Sequence, residues 1–166
     1  MTLEITAQAA LWFLPFVLPV CVWAAWSDLS RMKIPNTAVL TLVGIFLVVG
    51  LIALPISDYP WRLAHLAVML VAGIAMNAAG LMGAGDAKFI AAAAPFVALG
   101  DAATLCLIFA ATLLGAFVTH RVIKYSPLRR LAPDWQSWNT GKKFPMGFAL
   151  GGTLAIYLGL GAAFGS

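Results

Sequence analysis

Two aspartates carry the clearest chemical signal in this sequence. Asp86 closes the tetrapeptide Gly83-Ala84-Gly85-Asp86 in the middle of a strongly apolar chain, and Asp28 stands at the end of the first apolar segment. A carboxylate beside hydrocarbon is costly, so in a membrane sequence it reads first as a functional group. Each of these two flanks a glycine or proline break. Two carboxyls brought together can hydrolyse a peptide bond: the ionised one takes a proton from water, and the neutral one hydrogen-bonds the carbonyl oxygen. Close like charges cannot both ionise cheaply, so such a pair titrates as one coupled unit. Gly83 and Gly85 suit the same task, because glycine permits backbone conformations and close approaches that a side chain would block. Taken alone, Gly-Ala-Gly is a weak signal and reads first as a flexible loop between helices. An aspartate at matching depth elsewhere in the chain strengthens the catalytic reading.

The elements that must position this pair are membrane spans. Hydrophobic residues make up 63% of the 166 residues and charged ones 10%, with a mean hydropathy of +0.97. A soluble domain of this size would expose large apolar patches at that ratio. At about 20 residues per crossing helix the chain holds about six spans, one transmembrane domain over residues 1–166, and short loops. The expected class is an all-α, polytopic membrane fold. The spans are read near Ala7–Trp26, Thr37–Leu54, Arg62–Ala79, Asp86–Leu99, Ala102–Val122 and Phe144–Phe164. The first is too long, and lacks the early basic residues, to be a secretory signal. The fourth is short and contains Pro95, which predicts a kinked or partial crossing. Pro35 pushes Ile34 away from helix, and Asn36 suits the N-cap of the second span. Pro145 suits the first turn of the last. The spacing of Gly147 and Gly151 allows a neighbouring helix to approach closely.

Charge placement predicts sidedness. With the N-terminus outside, the inner loops hold Arg31, Lys33, Lys88, Arg121, Lys124, Arg129, Arg130, Lys142 and Lys143, and only Arg62 stays outside. Basic residues gathered on one side report membrane topology rather than nucleic-acid binding, and no nucleic-acid partner is expected. The same topology brings Asp28 and Asp86 to one face and one depth. Trp135 and Trp138 read as a segment lying among lipid headgroups. His65 and His120 read as interface residues, and Asn77 as a hydrogen bond to a neighbouring helix. Asp58, Asp101 and Asp134 read as solvated loop residues. Lys88 reads equally as a group acting on Asp86 or the substrate and as a snorkelling anchor. Cys21 and Cys106 lack metal-ligand spacing, so no metal or cofactor is expected.

The chain resembles the type IV prepilin peptidase family of GxGD aspartic proteases. Asp28 followed by Ile34-Pro35-Asn36 carries the resemblance, as do Gly83-Ala84-Gly85-Asp86-Ala87-Lys88 and Phe144-Pro145-Met146-Gly147. The resemblance implies six helices in the bacterial inner membrane and catalytic carboxylates at Asp28 and Asp86. It also implies cleavage of prepilin-like precursors at the cytoplasmic face, just before their hydrophobic segment. It points to Pro35, Asn36, Gly83, Gly85, Lys88, Pro145 and Gly147 as residues that shape the site or bind substrate. Longer members carry paired CxxC motifs in a zinc-binding, N-methylating region. Those motifs are not found here, so the similarity is to the short peptidase-only branch serving Flp-type (tight adherence) pili. Met146 and Phe148 replace the aromatic and the second proline of the commoner last block. The competing reading is a small ion- or proton-coupled transporter using the aspartates as relays. It expects carboxylates near the midplane and a path from both sides.

Overall fold

The computed structural model describes residues 2–141 and 143–166, so Lys142 of the basic loop set lies outside the described residues. Six α-helices follow one another: α1 (Ala7–Arg31), α2 (Asn36–Ala53), α3 (Tyr59–Ala78), α4 (Ala84–Ala93), α5 (Ala102–Lys124) and α6 (Met146–Phe164). Five are long and apolar enough to cross a membrane: α1, α2, α3, α5 with the turn before it, and α6. The chain is a multi-pass membrane protein with an all-α fold.

The fourth segment is built differently. α4 has 10 residues and gives way to a 3-10 turn, Ala94–Phe96, then extended backbone at Val97 and Ala98, then a second 3-10 turn, Leu99–Asp101. Pro95 is the local cause, since it lacks the N–H that would continue the helical ladder and its ring clashes with the preceding turn. Extended residues cover about twice the distance of helical ones. The broken segment therefore reaches from Asp86 to the N-terminal end of α1 with few residues.

α1 and α6 make the closest pair, and glycine explains how. A Cβ at Gly151 would stand 2.8 Å from the Cys21 carbonyl oxygen, and one at Gly161 would stand 2.8 Å from Ile5 Cγ2. Small residues at such contacts let helix backbones approach, as the Gly147–Gly151 spacing predicts. Half of the most apolar stretch of α6 is buried, against 6% for α3. α6 is thus the core of the bundle, and α3 faces outward. Phe13, Phe46 and Phe96 join α1, α2 and the fourth segment through edge-to-face contacts, with centroids 4.9 and 5.4 Å apart for Phe96. Leu3 bridges Gly165, so the two ends of the described chain lie together.

Several expectations are corrected here. Asp101 is buried rather than solvated, while Asp58 and Asp134 are exposed. Trp138 is also buried, stacked on His120 at 4.9 Å, and its indole N–H donates to the Ala132 carbonyl at 2.7 Å. The loop folds back onto the bundle because Trp26, Trp135, Trp138 and His120 form one aromatic run. His120 is therefore interior, not interfacial, at 2% exposure. Asn77 Nδ2 donates to Met82 O at 2.8 Å, closing the turn after its own helix instead of joining a neighbour.

Candidate active site

α1 runs past Asp28 to Arg31, and its end is fixed by local bonds. Met32 adopts the left-handed conformation, φ 54°, and its N–H donates to the Asp28 carbonyl at 2.8 Å. Such a residue ends a helix by satisfying a free carbonyl. Ser27 Oγ donates to Lys33 O at 2.9 Å, turning the loop back toward the helix. Pro35, not Asn36, is the N-cap of α2 and makes no side-chain cap bond. Asn36 is instead the first helical residue, and its Oδ1 accepts from Lys88 Nζ at 3.1 Å. That bond ties α2 to α4, and it corrects the capping role expected of Asn36.

On the other side, Asp86 lies in the first turn of α4, whose N-cap is Gly83. The backbone at Gly83 is extended, φ −66° and ψ 144°, so what glycine supplies here is space. A Cβ there would meet the Asp86 carboxylate, 2.7 Å from Oδ2. Gly85 is less demanding, because a Cβ would meet Ile34 at ordinary van der Waals distance, 3.6 Å.

Asp28 and Asp86 line one cavity of about 340 Å³. Asn36, Gly83, Gly85 and Lys88 also face this cavity. Gly147 sits behind it: its N–H donates to Asp28 Oδ2 at 2.6 Å, a buried bond. A Cβ at Gly147 would approach Asp28 Cβ to 2.9 Å and Ile34 Cδ1 to 3.1 Å. Pro145 is the N-cap of α6 and is fully buried beside Phe144 and Met146, which do line the cavity. Pro35 is outside the lining, at the start of α2.

Sequence reasoning missed Met32, Lys33, Ile34, Ala84, Phe144 and Met146 as cavity-lining residues. Ile34, Ala84, Phe144 and Met146 belong to the motif blocks that carry the family resemblance, whereas Met32 and Lys33, in the loop between Asp28 and Pro35, gave no signal of their own. One carboxylate in this arrangement holds a single backbone donor. No hydrogen bond from the described residues reaches the other. Both keep lone pairs turned toward an open space, where a water and a carbonyl could be bound between them.

A second buried carboxylate site lies at the far end of α1. Asp101 Oδ1 accepts from Glu4 N at 2.8 Å, and Oδ2 accepts from Ile5 N at 3.0 Å and from Tyr157 Oη at 2.7 Å. Tyr157 Oη in turn accepts from Ala98 N at 3.1 Å. A transporter reading expects carboxylates along a path from both sides, and Asp101 is a buried carboxylate at the end opposite the aspartate pair. Asp101 is nevertheless enclosed by donors rather than open to a path.

The sequence model of the type IV leader peptidase family matches residues 15–120, a stretch that includes both Asp28 and Asp86 and stops before Phe144. No curated protein and no solved structure matches the chain. With the match covering well over half of its length, the chain belongs to the type IV leader peptidase family and is a membrane-embedded peptidase.

Proposed function

We propose that this peptidase is an aspartic endopeptidase that uses Asp28 and Asp86 to remove the leader from prepilin-like precursors. One observation carries the proposal: two carboxylates from helices distant in sequence line a single cavity. One carboxyl, ionised, takes a proton from a bound water as that water attacks the scissile carbonyl. The other, protonated, donates to the carbonyl oxygen and stabilises the tetrahedral intermediate. The proton gained by the first carboxylate then passes to the leaving amine, and the pair returns to its starting state. Gly147 N–H holds the Asp28 oxygen that faces α6, leaving its partner oxygen for chemistry. Gly83 leaves the Asp86 carboxylate room to sit over the preceding turn. Lys88 and Asn36 brace the cavity mouth.

The cleavage site is placed at the cytoplasmic face of a bacterial inner membrane, with the N-terminus outside. Support comes from the sequence distribution of charge, which assigns nine of ten Lys and Arg residues to the loops and helix ends read as inner, the side to which it also assigns both aspartates. Flp-type (tight adherence) precursors are the proposed substrates. That choice is supported by two cysteines, one in α1 and one in α5, which offer no paired CxxC motif.

The test is co-expression with candidate precursors, following the size shift and sequencing the new N-terminus. Wild type is expected to cut at one bond. Asp28→Asn and Asp86→Asn are each expected to leave the precursor intact while still inserting in the membrane. Retained cleavage in either variant removes the dyad assignment.

A further inference from the structure

A second cavity, of about 420 Å³, opens between α3 and α5. Its floor is formed by α4 and α6, and its walls include Met69 of α3 and Phe109 of α5. No Asp, Glu, Lys or Arg lines it. Thr153 is its one hydroxyl, and that group is already occupied, donating to Ala149 O at 2.8 Å and paired with Thr112 Oγ1 at 2.6 Å. The floor is in register with the carboxylate cavity. On α4, Asp86 lies in the first cavity and Phe89, Ile90 and Ala93 in the second, which Ala94 continues at the start of the 3-10 turn. Those spacings, three, four, seven and eight, trace one helix face. On α6, Met146 lies in the first cavity and Leu150, Thr153 and Leu154 in the second, again along one face. Two parallel stripes therefore lead from the aspartates into an apolar groove.

Resting on the protease reading above, we propose that this groove docks the apolar segment of the substrate adjoining the scissile bond, and docks it as a helix. A peptide held at Asp28 and Asp86 has to leave the cavity, and along the α4 and α6 stripes it meets apolar side chains and an already bonded hydroxyl, with His65 on the α3 wall the one nitrogen-bearing side chain of the groove. In hydrocarbon an unpaired backbone is expensive, so the segment satisfies its own N–H and C=O groups by coiling. Ala93 and Ala94, both half-buried, give a floor low enough for a second helix to lie close. The competing occupant is a lipid acyl chain.

Cys106 offers a direct probe, since it lines the groove and is exposed, while the other cysteine, Cys21, is buried. Precursors carrying single cysteines along the apolar segment would be oxidised with the Asp86→Asn protein in membranes. Disulfides to Cys106 are expected to recur about every 3.6 residues and to vanish in a Cys106→Ser background. A second arm uses Ala93→Leu, which raises the floor. It is expected to lower kcat/KM for the full precursor about tenfold relative to a short junction peptide lacking the apolar segment. If wild type cuts these precursors but no periodic crosslinks form, the docking inference is overturned and the protease reading survives. Equal effects of Ala93→Leu on both substrates also overturn it, and assign the groove to lipid. If wild type cuts no precursor, the protease reading itself falls and takes this inference with it.

Discussion

The bundle buries carboxylates at two ends, and it treats them in opposite ways. Asp101 receives three donors, two from the N-terminal backbone and one from Tyr157. Asp28 receives one, from Gly147, and Asp86 none from the described residues. About 30 Å of α1 separates the two ends. Burial alone is therefore a poor guide to chemistry. A carboxylate saturated with donors is a fastener, since its lone pairs are spent on holding backbone in place. One that keeps lone pairs facing a cavity is costly to the fold and available for reaction.

This contrast can be broken by exchanging activity and stability measurements between the ends. The largest effect belongs to the open end: Asp28→Asn or Asp86→Asn should cut the cleavage rate by roughly 10³-fold. The same variants should leave the thermal unfolding midpoint in detergent almost unmoved. At the closed end the signs reverse. Asp101→Ala should destabilise by about 3 kcal/mol, because it orphans one buried and one part-buried backbone donor and a buried tyrosine hydroxyl. Its folded fraction should still cleave near the wild-type rate. A stable but inactive Asp101→Ala protein would erase the distinction drawn between the two ends.

Gly147→Ala sharpens the comparison, since it disturbs the one donor at the open end. The added methyl would press Asp28 Cβ at 2.9 Å. We expect a loss of about 1–3 kcal/mol from overpacking, together with a drop in cleavage rate larger than that loss of folded protein explains. The smallest effect on cleavage is expected from Tyr157→Phe, which keeps the ring but deletes the bond to Asp101 and the one from Ala98 N–H. A cost of about 2 kcal/mol and no change in kcat, measured by thermal melt and precursor cleavage, would fit a fastener.

Much of the open end was legible before any coordinates. Apolar runs predict helices, and Pro95 predicts that the fourth segment breaks. The pattern of basic residues predicts that Asp28 and Asp86 share one face, and the two line one cavity. The closed end was not legible. Asp101 sits in a short Gly-Asp turn that reads as solvated, and its partners are backbone N–H groups about a hundred residues away. The signal that was overlooked is Tyr157, a hydroxyl inside an otherwise apolar α6 that needs a buried partner. His120 failed for a related reason. Its neighbours Arg121 and Lys124 suggest a wet surface, but the long loop folds Trp138 over the ring. Loop return of that kind depends on aromatic contacts between distant segments, which no local periodicity encodes. The role of Gly147 was only half visible: its spacing to Gly151 predicts close packing, while the bond from its N–H to Asp28 requires the α1–α6 pairing to be known.

Both ends hang on a single rod. α6 supplies Gly147 N–H at one extremity and Tyr157 Oη at the other, ten positions along the same helix. Inserting one residue between them would turn the far end by roughly 100° and shift it by about 1.5 Å, so both attachments could not be kept at once. The length of that interval is thus a shared dimension of the molecule, and insertions within it should be far less tolerated than in the loop before Pro145.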